Sequence, residues 1–154
     1  MAASAVPAAF RAIVAALTAN LPAGTAVIPG PALSHPNETS YVEVGCEDSD
    51  TLNTYTSAVS GSQKWAQLGG GYRDEDFTIH GVATAWNGDN DCLAAMDAVY
   101  ALMAGIESAI VADPTLGGVL LYSPGITSHG LKFIQDTQGA GAKLAFDVEC
   151  RSRN

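Results

Sequence analysis

The sequence predicts an α+β domain, a mainly antiparallel sheet packed against two helices, in the order α-β-β-β-β-α-β-β. Three observations carry that class. Apolar residues recur at the helical period in two stretches, one near the N-terminus and one after Asn87. They alternate with their neighbours at period two over residues 41–47, 74–86 and 143–151. Clusters of Gly, Pro, Asn and Asp punctuate the intervals. A chain of 154 residues makes one domain, 1–154, and neither a repeat nor a linker divides it.

The first helix spans residues 7–20, with Pro7 in its first turn, where the missing N–H is not needed. Phe10, Ile13, Val14, Leu17 and Leu21 form its apolar stripe, and Asn20, Pro22 and Gly24 end it. Thr25–Ile28 reads as a brief strand closed by Pro29-Gly30-Pro31, followed by a polar loop at 34–39. In the next strand Val42, Val44 and Cys46 face one way, and Tyr41, Glu43 and Glu47 the other, the pattern of a sheet with one wet face. The polar stretch from Asp48 to Ser62 reads as a loop, and Gln63–Leu68 as a strand before the Gly69-Gly70-Gly71 turn. Asp74–Trp86 is the longest strand. Phe77, Ile79, Gly81, Ala83 and Ala85 share one of its faces, and Thr78, His80, Val82, Thr84 and Trp86 the other. Apolar character on both faces marks it as central, or as covered by another subunit.

Asp89 or Asn90 is placed to cap the second helix, with Asp91 complementing its dipole. The helix runs to about Val111, where Asp113-Pro114 stops it. Leu93, Met96, Tyr100, Met103, Ile106 and Ile110 make an apolar stripe. Ala94, Ala98, Ala101, Gly105, Ser108 and Ala112 make a stripe of small residues. Gly118–Tyr122 reads as a short apolar strand broken at Ser123-Pro124-Gly125. Leu131–Gln135 and Lys143–Arg151 close the chain as a hairpin around Thr137–Gly141, with Leu144, Phe146, Val148 and Cys150 inward.

Composition narrows the function. Charged residues make up 15% of the chain, below the usual ~25%. A formal net charge of -9 with seven basic residues argues against a nucleic-acid clamp, which needs a basic stripe against phosphate. It argues equally against docking on anionic lipid. No run is expected to approach the ~20 apolar residues of a membrane span. The Ala-rich N-terminus lacks a basic leader and is interrupted by Arg11, so it reads as a helix rather than a signal peptide. Cys46, Cys92 and Cys150 are odd in number and lack CxxC spacing, which favours buried thiols over a disulfide framework.

Catalytic signatures are absent. Glu47, Asp48 and Asp50 do not follow the calcium-loop spacing, and a solvated acidic loop explains them more simply. His35, His80 and His129 fall in separate segments without metal-ligand spacing. His80 invites pairing with Asp76 or a cysteine, although a surface or cross-strand histidine is the better expectation. The glycine triplet lacks the Lys-Ser/Thr and helix of a phosphate loop. Trp65, Tyr72 and Trp86 are expected to cluster near that loop, with core or subunit packing favoured over ligand stacking. No metal, cofactor or catalytic residue is expected.

The ordered pattern of the whole chain carries more. Glu75-Asp76-Phe77-Thr78-Ile79-His80-Gly81-Val82-Ala83-Thr84-Ala85-Trp86-Asn87-Gly88 precedes the long helix. Ala112-Asp113-Pro114-Thr115-Leu116-Gly117-Gly118-Val119 follows it, and a hairpin closes the chain. Over roughly residues 5–152 this resembles the tail terminator proteins of long non-contractile-tailed bacteriophages, especially those infecting actinobacteria. The resemblance implies a non-enzymatic ring, commonly a hexamer, that caps the tail tube, ends its growth and meets the head connector. The partners implied are further copies of the chain, the tail tube protein and the head–tail connector protein. DNA passes through without specific binding and no membrane is involved. The implied location is the neck of the virion, and the host cytoplasm before assembly. Glu43, Glu47, Asp147 and Glu149 are candidates to line the channel, where like charge keeps DNA from sticking. Trp65, Tyr72, Arg73 and Trp86 are candidates for a subunit or partner interface. The alternatives are another neck component, namely a head–tail joining or tail completion protein; a small-molecule-binding or enzymatic α+β domain with its pocket near Trp65, Tyr72, Trp86 and His80; and a free monomeric or dimeric regulator that forms no ring.

Overall fold

A computed structural model describes residues 3–32, 37–48, 56–66, 69, 71–137 and 139–154. Among these, two helices and six strands follow one another as α1 (Val6–Asn20), β1 (Thr25–Pro29), β2 (Ser40–Val44), β3 (Val59–Trp65), β4 (Arg73–Asn87), α2 (Cys92–Ala112), β5 (Gly125–Asp136) and β6 (Gly139–Arg153). The α+β class and the element order are those the sequence predicts. His35, Asp50, Leu68 and Gly70, with parts of the 34–39 and 48–62 segments, lie outside the described residues.

The strands form one sheet, ordered β1-β2-β4-β6-β5, with β3 beside the first half of β4 on the side that β2 takes along the second half. Only β1–β2 is parallel. β4 and β6 pair over their whole lengths, from Asp74 opposite Arg153 to Asn87 opposite Ala140. They make the spine of the fold, and among the described residues β5 is an open edge.

Both helices pack on one face of this sheet. The dry layer between them holds Ile13 and Leu17 from α1, Val42 and Val44 from β2, Phe77, Ile79, Ala83 and Ala85 from β4, and Leu144, Phe146 and Val148 from β6. Period two puts these strand residues on a single face, which is why the sequence pattern reads so directly. Gly81 belongs to the same row. A Cβ there would sit 2.4 Å from the Phe146 ring, so the glycine makes room for that side chain.

At the margin of this layer lies Glu75, a buried carboxylate 4% exposed. It accepts hydrogen bonds from Ser4 Oγ (2.5 Å), the Ala5 backbone N–H (2.8 Å), Gln63 Nε2 (2.9 Å), Asn154 Nδ2 (3.0 Å) and Ser152 Oγ (3.5 Å). One side chain thus ties the start of α1 to β3 and to the end of the chain. Burial raises its proton affinity, but the hydrogen bonds from Ser4, Ala5, Gln63 and Asn154 outweigh that and hold its pKa below the ordinary glutamate value.

Several expectations need correction. β3 begins at Val59, inside the stretch read as loop, because its polar side chains are nearly all exposed and the strand is held by its backbone ladder to β4. β5 begins at Gly125 rather than Leu131, for the same reason. Gly118–Tyr122 is not a strand. Leu116, Gly117 and Gly118 adopt positive φ, and the turn tucks Leu116 and Leu120 into the core. The cap of α2 is Asp91, whose carboxylate accepts from the Leu93 and Ala94 N–H groups. The hairpin turn is tighter than expected, with Asp136 opposite Gly139. No other residue fits at Gly139, which has φ 131° and whose Cβ would lie 2.3 Å from the Asn87 carbonyl oxygen.

The stripe expected to bury α2 also needs correction. The buried residues are Ala95, Val99, Leu102, Met103, Ile106, Ala109 and Ile110, whereas Leu93 and Tyr100 are exposed. Moreover, Cys92–Val111 has the length and mean hydropathy of a membrane span, contrary to the expectation that no run approaches one. Apolar residues on both sides of the helix produce that hydropathy, and the side facing β4 and β6 is the one packed.

Candidate functional site

The face of the sheet away from the helices is where polar side chains converge. His80 on β4 lies directly opposite Asp147 on β6, and its Nδ1 is 2.6 Å from Asp147 Oδ1. Its other ring nitrogen, Nε2, is 3.3 Å from Ser60 Oγ on β3 and 3.9 Å from Glu47 Oε1. Ser128 Oγ donates to the second oxygen of Asp147 at 2.7 Å. Burial alone would raise the pKa of Asp147, but the hydrogen bonds from Ser128 and His80 bring it below the ordinary aspartate value. A pairing of His80 with Asp76, the less favoured of the two readings, does not occur. Asp76 instead pairs with Arg151 at 3.1 Å.

Cys46 does approach this network, for a local reason. Gly45 takes φ 81°, and the N–H groups of Gly45 and Cys46 both donate to the His80 carbonyl, at 2.7 and 3.3 Å. That turn breaks the alternation, so Cys46 leaves the helix-side core of Val42 and Val44 and borders the same cleft as His80. Burial raises its pKa, so the thiol is held neutral. The cleft, about 400 Å³, is also lined by Asp48, Lys132 and Asp147. Asp48 Oδ2 and Lys132 Nζ are 2.9 Å apart, so the segment after β2 reaches across the sheet to β5.

Ser60, His80 and Asp147 are connected in the order of a hydrolytic triad. Ser60, however, stands on a regular strand opposite Thr78, and both helices lie on the far face of the sheet. No sharp strand-to-helix turn puts N–H groups beside its Oγ, as a nucleophile elbow does. The arrangement holds a histidine between two carboxylates and a hydroxyl. Such a set of donors and acceptors suits polar recognition. Among the described residues, no three His, Cys, Asp or Glu side chains are grouped so as to hold a metal ion.

The acidic candidates separate on inspection. Glu43 was expected on a wet face, together with Tyr41. Both are buried, at 9% and 4% exposure, and Glu43 accepts the Ala32 N–H at 2.7 Å. Glu149 and Glu47 are exposed, and Asp147 is half-buried in the His80 network. Beside Tyr41 in the ladder, Thr84 is wholly buried with its hydroxyl unpartnered. His129 stacks edge-on to Tyr100 with ring centroids 6.0 Å apart.

The aromatic candidates also divide. Trp65 lies opposite Arg73 across the β3–β4 hairpin, and the Arg73 guanidinium carbon sits 4.4 Å from the centre of the Trp65 ring. Tyr72 is beside them, its carbonyl accepting the Ala66 N–H at 3.1 Å. Trp65 and Tyr72 are 63% and 62% exposed. Trp86 does not join this group. It sits at the opposite end of β4, roughly 40 Å along an extended strand, where its ring lies against Gly141.

Sequence reasoning passed over the outward side of α2. Leu93, Asp97, Tyr100, Ala104, Glu107 and Val111 repeat at spacings of four and three and are all exposed. The signal was present, because a second stripe at helical spacing is visible in the sequence once the first is assigned. Neither a protein-family model nor a curated protein matches this chain.

Proposed function

We propose that the chain is a structural assembly protein of a long non-contractile phage tail. In this reading it is a terminator that closes into a ring at the tip of the tail tube, stops its growth and presents a surface to the head connector. It performs no catalysis. The virion neck is its place, and DNA passes through the ring without specific binding.

The observation that carries this reading is the amount of unpartnered associating surface on a small domain. Trp65, Tyr72, Leu93, Val111, Tyr122 and Phe133 are all at least half exposed, and among the described residues the twelve-residue edge strand β5 is unpaired on one side. Exposed apolar patches and open edges mark association sites, and ring closure covers such edges. Net charge of -9 suits a channel through which DNA slides. Of the four acidic candidates to line it, Glu47 and Glu149 are the exposed ones. Glu43 is withdrawn from that role by its burial.

The test is to add the protein to growing tail tubes, and to weigh it by light scattering over a range of concentrations. Tubes that stop at fixed length, with rings of about six copies in solution or at tube tips, are expected. Uncapped growth with a strictly monomeric protein overturns the reading.

A second reading, a small-molecule-binding domain, is favoured by one observation. Cys46, Glu47, His80, Lys132 and Asp147 converge on a cleft of about 400 Å³, within the usual range for ligand sites. A metabolite that raises the melting temperature of the wild-type chain but not of His80→Ala would select it.

A further inference from the structure

We propose that the exposed side of α2 is the seat for the β3–β4 hairpin tip of a second copy of this chain. This rests on the ring reading above and says which two surfaces meet.

The seat is defined by geometry. Leu93, Asp97, Tyr100, Ala104, Glu107 and Val111 lie within about 40° of one line on the helix, given 100° per residue, and span about 27 Å. The line is turned about 140° from Ile106, at the centre of the buried stripe. It is an apolar ridge carrying two carboxylates, and α2 has no basic residue to neutralise them.

The hairpin tip is its complement. Between Gln63 and Arg73 the chain carries Lys64 and Arg73 and no carboxylate, within a protein of net charge -9. Among the described residues Lys64 makes no ion pair, and the Arg73 side chain meets Gln63 and the Trp65 ring. Trp, Tyr and Arg are the residue types that carry interface energy when an apolar pocket covers them. Trp65, Tyr72, Leu93 and Val111 are all exposed, so the two surfaces do not cover each other within one chain. Because the patches differ, the contact is head-to-tail, the kind that closes a ring when its rotation divides a full turn.

Charge reversal tests the pairing on the full chain by sedimentation velocity. Lys64→Glu with Arg73→Glu makes the tip acidic, and Asp97→Lys with Glu107→Lys makes the seat basic. Each double variant alone is expected to associate at least about tenfold more weakly than wild type, with an unchanged circular dichroism spectrum. An equimolar mixture is expected to recover association, because each reversed tip meets a reversed seat and each native tip a native one.

Undiminished association of either variant overturns the contact, and so does a mixture that fails to recover. A wild-type chain that stays monomeric at the highest concentration reached overturns it as well. Tube capping is scored separately. A chain that caps tubes while failing the charge test keeps the ring reading and loses this interface. Loss of capping without loss of self-association assigns the hairpin to the tube protein instead.

Discussion

Along α2, Ala95, Val99, Leu102, Met103, Ile106, Ala109 and Ile110 are shut against β4 and β6. On the opposite side Leu93, Tyr100 and Val111 stand 66%, 40% and 60% exposed. Both sides are rich in apolar residues at helical spacing. What distinguishes them is the surface each meets. The inner side includes the small residues Ala95 and Ala109, both buried in the core. The outer side instead carries two carboxylates, which burial against the strands would have left unpaired. Position of charge, more than hydrophobicity, decides which side folds inward.

The largest expected effect lies on the inner side. Ile106→Ala leaves a cavity in a fully buried layer and should cost about 3 kcal/mol in chemical denaturation. Ile106 has 0% exposure, so little relaxation can relieve the loss. A cost under about 1 kcal/mol would mean the inner side is not the load-carrying one.

The next effect tests the margin of the same layer. Glu75→Gln removes the charge that five donors converge on and should cost about 2 kcal/mol. The pH dependence follows from the lowered pKa of Glu75. Its contribution is complete above the ordinary glutamate range and is lost as pH falls through the depressed folded-state value. Wild type should therefore lose more stability than the variant on acidification below the ordinary range. Parallel stability–pH curves would show that the carboxylate is not the clamp.

A smaller effect is expected across the sheet. Asp147→Asn weakens the pairing with His80 and Ser128, but the side chain is 36% exposed, so solvent screening reduces the cost to about 1 kcal/mol or less. His80→Ala should match it. In a double-mutant cycle the two losses should fall short of additive, because they share one hydrogen bond. Full additivity would separate the two residues.

Much of this was legible beforehand, for physical reasons. The alternation in β4 and β6 survives in the sequence because one face is dry along their length. β3 and the first half of β5 left no such trace. Their side chains are mostly solvated, and the ladder that holds them is made of backbone groups common to all residues. The His80–Asp147 pair is a register relation across sixty-seven residues, which one-dimensional spacing does not encode. The burial of Glu43 and Tyr41 escaped notice because period two reports which side a residue is on, not what covers that side. Glu75 could have been found, since it shares the core-facing register of Phe77 and Ile79.

The smallest expected effect returns to α2 and completes the contrast. Leu93→Ser and Val111→Ser together remove the two branched aliphatic side chains of the outer ridge. Nothing within the chain closes over them, so folding stability should change by no more than about 0.5 kcal/mol per site. Serine lowers helix propensity slightly, and Leu93 stands in the first turn, where that cost is least. The same pair of changes in the inner stripe would unfold a marginal domain. If the outer pair instead destabilises the isolated chain by several kcal/mol, the ridge is part of the core and not a docking surface. If stability holds while self-association falls, the two sides divide the work. One side holds the domain together and the other joins it to its neighbour.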